Sequence, residues 1–553
     1  MKRLIIILAV LCFFSADADA QKVTQTRKIE KLITNVIDSG FRSSVLISAY
    51  DTLKQVADNS VFSGVVVSAE GHILTVAHAT RPKEVYLITF PDGVTHLAEG
   101  LGRIAVAQEG RDLDLAMIKI IKPGKWPFSK MAWNTEMKVN QPAVSISYPG
   151  SFDRKQPNVR VGVLSKVDYT EGYFVSTCKM EPGDSGGPVF DATGRVIGLH
   201  SWVEANEDFN FEVPVDLYRK YWSALNVAKN YKELPQADTI ISIPTAVSIS
   251  AIPPIQELAE IPGQFSKSTL AIHSSRGQEQ LDILGTIITY DFASTNDTYI
   301  LSKSSMVADQ PGVMLHGKKI PLTVISRDNE NDLILLKVLE KLPSGIRLKA
   351  DLKPLELSNE NLGNFLVSSL GNGLKKVGVL STVYTNMLMR FSVGYFGANA
   401  NFINKKITIT DISEGSAAAV NLKLNDQVIG VNGVPISKPA EYGAELSKYL
   451  AGDSISIDAI RDGQEIHLKM FLPAYPGENH VASQFEGGRS ARSDGFNRVL
   501  VQDAAIVPEK CGGPVFNIKG QFYGINIARH SRTSTIIMPV DVISKFIKQA
   551  LKS

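Results

Sequence analysis

Residues 183–188 of this 553-residue chain read Gly183-Asp184-Ser185-Gly186-Gly187-Pro188, which places a serine in a glycine-rich turn. Glycine adopts positive φ angles and lets a substrate come close to the main chain. Successive N–H groups in such a turn can point together at a developing oxyanion, the donor arrangement that acyl transfer needs. The stretch therefore predicts that Ser185 is a nucleophile. Part of this stretch recurs later in the chain, and that repeat is one basis of the fold prediction below.

A serine hydroxyl is a weak nucleophile until a base, itself oriented by a third group, takes its proton. Thr75-Val76-Ala77-His78 supplies a histidine at the end of an apolar strand, and Asp114 opens another strand-like run. Asp112 is the alternative carboxylate, but only Asp114 aligns with the repeat described next. The order His, Asp, Ser is that of the chymotrypsin fold. We expect His78, Asp114 and Ser185 to be the catalytic residues.

Four phrases of the chain occur twice, in the same order. Residues 114–119, 162–167, 186–190 and 213–216 return, with substitutions, as residues 332–337, 378–383, 512–516 and 538–541. Four matches in register indicate a duplicated domain. Both copies consist of short β-branched and apolar runs broken by Gly, Pro and Asn, which predicts an antiparallel β sandwich or barrel.

The second copy contains an insertion. Its stretch from the shared aspartate to the shared Gly-Gly-Pro is more than 100 residues longer than in the first copy, enough for one small domain. The excess lies after residue 378, so the inserted domain interrupts the second copy. The predicted boundaries are the first copy at 42–231, a proline-containing linker at 232–264, the second copy at 265–387 and 475–553, and the inserted domain at 388–474.

The second copy has lost most of the catalytic residues. Alignment of residues 71–80 with 298–307 places Ser305 at the position of His78, and alignment of the Gly-Gly-Pro motifs places Cys511 at that of Ser185. Asp332 alone keeps its type. Without an imidazole, neither activation of a thiolate nor protonation of a leaving group is provided. We predict an inactive domain with a structural or regulatory role; a redox-sensitive Cys511, its thiolate stabilised by Lys510, is the alternative.

These motifs together resemble the HtrA/Deg branch of the trypsin-like serine proteases. The resemblance covers about residues 40–222 and is carried by the phrases at 62–65, 71–78, 114–116 and 183–188. It implies a mainly β chain with two chymotrypsin-like double β-barrel domains in tandem, the second one degenerate. It also implies Ser185 as nucleophile, His78 as general base and then acid, and Asp114 as the residue that orients His78.

The resemblance implies further site residues. The N–H groups of Gly183 and Ser185 would form the oxyanion hole, and Ser201-Trp202 resembles the strand that pairs with the substrate backbone. No Ile-Val-Gly-Gly-like N-terminus is present to be released and to pair with Asp184, so activation by N-terminal cleavage is not expected. A pocket for basic side chains, made by the acidic residues of 204–208, is the less favoured option because acidic runs in hairpins are usually solvated.

The inserted domain resembles a PDZ domain. Residues 392–398 look like the carboxylate-binding loop of HtrA-type PDZ modules, while 415–418, 424–433 and 459–464 match other PDZ phrases. Such domains add an extended peptide to a sheet edge and hold its C-terminal carboxylate with main-chain N–H groups. The resemblance implies peptide binding at Gly394, Tyr395, Phe396 and Gly397.

The N-terminus has the layout of a secretory signal peptide. Lys2 and Arg3 form a basic start, residues 4–14 an apolar run, and Ala18-Asp19-Ala20 a small-x-small cleavage site. We predict a signal peptide at 1–20 and an exported protein, periplasmic or extracellular, with no membrane anchor. Apolar residues at helical spacing predict an amphipathic helix in 21–41 that packs on its own barrel, with a subunit contact as the alternative.

Composition excludes several classes of function. The chain has 44% hydrophobic and 21% charged residues and a net charge of +2, values that indicate a globular protein and argue against nucleic-acid binding. Three cysteines cannot staple a chain of this length. No metal-ligand cluster, phosphate loop or cofactor motif is present, so we expect neither metal nor cofactor.

We predict an exported serine endopeptidase; the resemblance to HtrA/Deg proteases implies that it is ATP-independent, that it cleaves unfolded or misfolded proteins and that it binds peptide C-termini at its PDZ domain. The competing hypothesis is a non-enzymatic, chaperone-like scaffold that binds peptides. Relatives of this type commonly assemble as trimers, but the second barrel could occupy the trimer interface, so the sequence leaves homo-oligomer formation open.

Overall fold

β-branched and apolar residues form short strands along most of the chain, because their side chains pack well on a pleated, half-buried surface. The computed structural model describes residues 2–108, 111–152, 156–240, 249–292, 295–343, 345–349, 352–476 and 480–552. It divides into two compact units, one comprising Met1–Thr385, His480–Gly488 and Arg498–Ser553, the other Asn386–Asn479 and Arg489–Asn497.

The first copy folds into two closed barrels. Its elements are α1 (Lys2–Phe41), β1 (Ser44–Asp51), β2 (Val56–Val66), β3 (His72–Thr75), β4 (Val85–Thr89), β5 (Thr95–Gln108), β6 (Arg111–Ile120), β7 (Pro142–Ser147), β8 (Asn158–Lys166), β9 (Phe174–Ser176), β10 (Pro188–Phe190), β11 (Val196–Val203), β12 (Asn210–Pro214), α2 (Val215–Lys220), α3 (Trp222–Leu225) and β13 (Asn230–Tyr231). Pairing of β5 with β6 closes the ring β5-β4-β1-β2-β3-β6, and β10-β11-β12-β9-β8-β7 forms the second barrel. The predicted double-barrel fold is confirmed for this copy.

The helix α1 packs on both copies. Its residues Ile33 and Ile37 are buried in a hydrophobic cluster that contains residues of each copy, and the Glu30 carboxylate accepts a hydrogen bond from Phe365 N–H at 2.8 Å. The predicted packing of this helix on its own barrel is therefore observed, and the helix also packs on the second copy, a contact that was not predicted. Of the helices in the described ranges, none is both long and apolar enough to cross a membrane.

The second copy repeats this architecture with one break. Its first strands are β14 (Thr269–Arg276), β15 (Glu279–Phe292), β16 (Thr295–Lys303), β17 (Asp309–Leu315), β18 (Lys318–Pro321), β19 (Thr323–Asp328), β20 (Leu333–Lys337), β21 (Ile346–Lys349), β22 (Phe365–Gly371) and β23 (Leu374–Met387). β14 to β20 form an open sheet ordered β18-β17-β14-β15-β16-β20-β19, with β21 paired to β15. Two short strands, β18 and β19, stand where the first copy has the long β5. Pro321, which lacks an N–H donor, is the last residue of β18, and Leu322, whose N–H donates to Pro311 O of β17 at 2.8 Å, separates it from β19.

The inserted unit is a single sheet with two short helices. It contains β24 (Ala398–Ile403), β25 (Lys406–Ile412), α4 (Ala418–Asn421), β26 (Gln427–Val431), β27 (Val434–Pro435), α5 (Pro439–Leu446), β28 (Ser454–Arg461) and β29 (Gln464–Phe471). The strand order is β24-β25-β26-β28-β29, with β27 paired to β26. β24 is thus an edge strand, whose outer N–H and C=O groups are of the kind that an added peptide strand uses.

After the insertion the second copy is completed. Its last elements are β30 (Phe496–Gln502), β31 (Pro514–Asn517), β32 (Phe522–Ser531), β33 (Ser534–Pro539) and α6 (Val540–Ala550). β22-β23-β30-β33-β32-β31 close a barrel. Every residue of β32 and β33 is buried, because the other side of this hairpin is covered by the first copy.

One side chain of the second copy, Asp503, accepts a backbone hydrogen bond from each of the two copies. The Asp503 carboxylate accepts the N–H of Val161 on β8 at 3.0 Å and that of Val379 on β23 at 2.7 Å. The predicted linker between the copies, 232–264, is described except for residues 241–248, and within it Gln256 bonds to both backbone groups of Val377.

Candidate active site

The three predicted catalytic side chains lie together in the first copy. His78 is carried by a 3-10 turn, Ala77–Ala79, that follows β3, Asp114 lies on β6, and Ser185 precedes β10. His78 Nδ1 lies 2.7 Å from Asp114 Oδ2, and His78 Nε2 lies 3.0 Å from Ser185 Oγ. Since Asp114 accepts the Nδ1 proton, Nε2 is the basic nitrogen that faces the serine hydroxyl.

Asp114 is fixed by more than the imidazole. Its Oδ1 accepts the His78 backbone N–H at 2.8 Å, and its Oδ2 accepts the Ser201 hydroxyl at 2.6 Å. Burial alone would raise the pKa of Asp114, but the hydrogen bonds and charge of His78 and the hydroxyl of Ser201 outweigh it and hold the pKa below its ordinary value. Asp114 is therefore ionised at neutral pH. Ser201, predicted only as a substrate-binding residue, contributes its side chain to the triad.

The loop before Ser185 presents main-chain N–H groups on one side. The Pro182 carbonyl accepts the Gly150 N–H at 2.6 Å. Because a peptide group is planar and trans, the N–H of Gly183 points away from that contact. Gly183 has φ +102°, and a Cβ there would lie 2.7 Å from both Gly150 N and Tyr148 O, so only glycine fits this turn.

The carbonyls of the loop are held from the opposite side. Ser63 donates its hydroxyl to Gly183 O at 2.8 Å and its N–H to Ser185 O at 2.9 Å. Within the described part of the chain, neither the Gly183 nor the Ser185 N–H has a protein acceptor. Two such donors side by side are what an oxyanion hole requires.

A buried arginine pairs with Asp184. Arg160 on β8 donates from Nη1 to Asp184 Oδ2 at 2.6 Å and from Nη2 to Oδ1 at 2.8 Å, and both side chains are at most 2% exposed. Burial opposes the charge of Arg160, but Asp184 outweighs this effect and raises the arginine pKa. A bidentate pair of this kind fixes position as well as charge. Asp184 thus faces an internal cation, the guanidinium of Arg160.

An aromatic platform lies beside the triad. Trp202, 42% exposed, stacks on Phe211 with ring centroids 3.7 Å apart, and Tyr173 meets both rings edge-on. His200 is fully buried and bonds to Glu212 and Ser145, which accounts for it as a structural histidine. The predicted substrate-binding strand therefore presents Trp202 to solvent while Ser201 turns toward Asp114.

The corresponding site of the second copy holds a different ion pair. Ser305 donates its N–H to Asp332 Oδ1 at 2.7 Å and its hydroxyl to Oδ2 at 2.9 Å. Lys303 Nζ lies 2.7 Å from Asp332 Oδ2, and both side chains are at most 2% exposed. The backbone contact of His78 with Asp114 thus has an equivalent here. The other carboxylate oxygen, however, contacts a lysine ammonium where Asp114 contacts an imidazole.

Cys178 and Cys511 are buried, and neither of the two forms a disulfide bond. Cys511 is fully buried in a hydrophobic cluster with Ile283 and Val307. A fully buried thiol is out of reach of a protein substrate. Burial raises the pKa of Cys178 to about 12. The geometry therefore argues against the reactive alternative for Cys511.

Most main-chain N–H groups of the predicted carboxylate-binding loop already donate hydrogen bonds to carbonyl groups of the inserted unit. Gly394 N–H donates to Tyr449 O at 2.9 Å, Tyr395 N–H to Pro473 O at 2.7 Å, and Phe396 N–H to Gly394 O at 2.9 Å. Of the four predicted residues only Gly397, at φ +68°, has an N–H with no protein acceptor among the described residues. In this conformation three of the four do not offer the predicted donor.

A tyrosine also bridges the space between the helix and the edge strand of this unit. Tyr442 on α5 donates its hydroxyl to Ala398 O on β24 at 3.0 Å and packs edge-on against Phe396. A peptide added to β24 would compete with this hydroxyl for the Ala398 carbonyl.

Among the described residues, no group of three or more His, Cys, Asp or Glu side chains is arranged to hold a metal ion.

Two family models match the chain. A trypsin-like peptidase domain matches residues 62–199, and a PDZ domain matches residues 386–446. Neither matched range includes residues 265–385 or 475–553 of the second copy. The chain therefore carries a trypsin-like peptidase domain and a PDZ domain.

The chain is also similar to individual serine proteases. A probable periplasmic serine endoprotease, DegP-like, of Pseudomonas fluorescens is 30% identical over 166 residues, covering 29% of this chain and 33% of the relative. The serine protease HTRA1 of Xenopus laevis is 27% identical over 169 residues, covering 29% and 35%. A solved HtrA-type protease, AlgW with tripeptide, has 14% identity and a TM-score of 0.30 over 80% of this chain and 98% of its own.

The matched region spans about a third of the length of these curated relatives. The resemblance of the peptidase domain to HtrA/Deg serine proteases, predicted from the motifs, is confirmed. The degeneracy of the second copy stays a prediction.

Proposed function

We propose that the chain is an exported, ATP-independent serine endopeptidase that cleaves unfolded or misfolded proteins through a Ser-His-Asp acyl-enzyme mechanism. The observation that carries the proposal is the pair of contacts made by His78, with Asp114 on Nδ1 and Ser185 on Nε2. The periplasmic relatives and the predicted signal peptide support export.

The geometry supports the following sequence of events. Ser185 Oγ attacks the scissile carbonyl carbon while His78 Nε2 takes the hydroxyl proton, and the resulting imidazolium is stabilised by the ionised Asp114. The N–H groups of Gly183 and Ser185 bind the oxyanion. His78 then gives its proton to the leaving amine, and a water molecule activated by the same imidazole hydrolyses the acyl-enzyme.

The test compares the full chain with Ser185→Ala and Cys511→Ala. We expect reduced casein to be cleaved, and a fluorophosphonate to label position 185, in the parent and in Cys511→Ala but not in Ser185→Ala. Mass spectrometry of the fragments would also identify the preferred side chain at the cleavage site. A parent that is inert to both reagents would favour the scaffold hypothesis, provided that it binds unfolded protein.

Binding of peptide C-termini at the PDZ domain is the second part of the proposal. It is supported by the PDZ match and by the edge strand β24. Because Tyr442 bonds to the Ala398 carbonyl, we expect Tyr442→Phe to tighten binding of a fluorescent peptide with a free carboxylate to the Ser185→Ala chain. The same peptide with an amidated C-terminus is the control, and equal binding of the two would contradict carboxylate recognition.

A further inference from the structure

The hairpin β32–β33 of the second copy reaches the loops that flank Ser185. Three loops are involved, and we name them the oxyanion loop (residues 179–185), the first rim loop (149–152) and the second rim loop (204–209). The hairpin residues that face them, Arg529, His530, Arg532 and Thr533, are at most 1% exposed. Resting on the proposed function, we propose that this hairpin is the element that positions the oxyanion loop and the two rim loops for catalysis.

Thr533 acts on the oxyanion loop through Glu181. Its hydroxyl donates to Glu181 Oε2 at 3.1 Å, while Glu181 Oε1 accepts the Ser151 N–H at 3.0 Å. The main chain of Glu181 exchanges two hydrogen bonds with Asp184, the residue before the nucleophile. A shift of Glu181 would therefore be transmitted directly to the turn that holds the Gly183 and Ser185 N–H groups.

Arg529 and Arg532 act on the second rim loop. Arg529 Nη2 lies 2.9 Å from Glu207 Oε2, and Arg532 donates to the carbonyls of Ala205 and Asn206 at 3.2 and 2.8 Å. This loop joins β11, which contains Trp202, to β12, which contains the Phe211 ring on which Trp202 stacks. Glu207 is thereby engaged by the second copy, which removes it from the acidic pocket considered for basic side chains.

His530 acts on the first rim loop. Its Nε2 lies 3.0 Å from the Ser151 carbonyl, and its ring packs 5.0 Å from that of Phe152. The neighbouring Gly150 N–H holds the Pro182 carbonyl and so turns the Gly183 N–H. All three loops are thus held by one hairpin of a barrel that has itself lost the triad.

The segment 480–488, which belongs to the same compact unit, joins these contacts. Ala482 packs with Met180 of the oxyanion loop and with Val203 at the start of the second rim loop. Glu486 N–H donates to Glu207 Oε1 at 3.0 Å, so Glu207 is held on both carboxylate oxygens. The contacts form a connected set rather than isolated surface pairs.

The alternative is that these contacts only hold the two barrels together. A matched pair of substitutions separates the two possibilities. Thr533→Val removes the hydroxyl that reaches Glu181, whereas Thr535→Val makes the same change on the same hairpin, where the hydroxyl bonds to Ala504 and Ile506 within the second copy. Both residues are at most 1% exposed, so any loss of packing should be similar.

The test measures casein hydrolysis and the fluorophosphonate labelling rate of the full chain. We expect Thr533→Val to lower kcat about tenfold with little change in KM, Thr533→Ser to restore it, and Thr535→Val to stay near the parent value. In a Glu181→Ala background, Thr533→Val should cost less than about twofold, because the two residues act through one contact. Equal losses in Thr533→Val and Thr535→Val, or fully additive losses with Glu181→Ala, would overturn the proposal.

A second readout does not depend on hydrolysis. Amide hydrogen exchange of residues 181–186, measured in the Ser185→Ala chain, should be about tenfold faster with Thr533→Val than with Thr535→Val. If the parent neither cleaves nor is labelled but this difference is found, the proposed function is wrong and the positioning role holds. If the parent is active and exchange and kcat are the same for the two variants, the positioning role is wrong.

Discussion

Asp114 and Asp332 occupy equivalent places in the two copies and make the same first contact, a carboxylate oxygen that accepts the N–H of the residue at the histidine position, at 2.8 and 2.7 Å. They differ in what neutralises the other oxygen. Asp114 faces His78 and Ser201, whereas Asp332 faces Lys303 and Ser305. The two copies thus share the backbone contact, while the buried carboxylate of the second copy has a lysine ammonium as its charge partner.

The largest effect should come from removing the charge of Asp114. Asp114→Asn would lower kcat about 10⁴-fold, because an amide favours the wrong imidazole tautomer and cannot stabilise the imidazolium. The measurement is casein hydrolysis at constant protein concentration. Asp332→Asn, assayed at a temperature at which it remains folded, is the control and should stay within about twofold of the parent.

Asp332→Asn should instead act on stability. The substitution leaves the Lys303 ammonium, 1% exposed, without its carboxylate, and breaking a buried pair in this way costs about 3–5 kcal/mol. Denaturant unfolding followed by the fluorescence of the chain would measure it. Lys303→Met together with Asp332→Asn removes both charges and keeps at position 332 a residue type that tolerates its φ of +56°. This double variant should be less destabilising than Asp332→Asn alone; the opposite order would contradict a charge-based explanation.

Arg160→Met should weaken catalysis through the oxyanion loop. Without its guanidinium, Asp184 loses both Arg160 hydrogen bonds, and we expect kcat to fall about 100-fold, the size of effect seen when oxyanion stabilisation is impaired. Arg160→Lys should recover part of this, since a single ammonium cannot reproduce the bidentate contact.

Arg195→Met is the matched control for Arg160→Met. Arg195 pairs with Asp191 and Glu136 in the same barrel pair, and its side chain is 12% exposed. If the two methionine variants lose activity equally, Arg160 contributes only to folding.

The smallest effect should come from rebuilding the triad in the second copy. Lys303→Val, Ser305→His and Cys511→Ser together, in a Ser185→Ala chain, should give no measurable hydrolysis. Residues 508–510 form a 3-10 turn there, and Glu509 stands where the first copy has Gly183, so the donor turn is missing. Fluorophosphonate labelling at position 511 would contradict this and would show that the triad alone had been the missing part.

The sequence predicted the duplication and the inserted PDZ domain because each of them leaves phrases of fixed order. The triad was predictable for the same reason: residue type and spacing carry the chemistry. Arg160 was not, since it lies 24 residues before Asp184 with no local pattern to connect them. The internal hydrogen bonds of Gly394, Tyr395 and Phe396 were also beyond the sequence, because a motif specifies which N–H groups exist but not which acceptors the fold brings to them.

The carboxylate that joins β8 and β23 has a consequence for how the two copies evolved. Asp503 stands at the position that corresponds to Thr177, whose hydroxyl accepts the Val163 N–H at 3.0 Å within the first copy. In a dimer of identical subunits, such an aspartate would occur on both sides of the symmetry axis, and two buried carboxylates would repel each other. A single chain that contains both copies is free of that constraint. The second copy can carry Asp503 while the first copy carries the neutral Thr177, an asymmetric pair of residues that a homodimer cannot have.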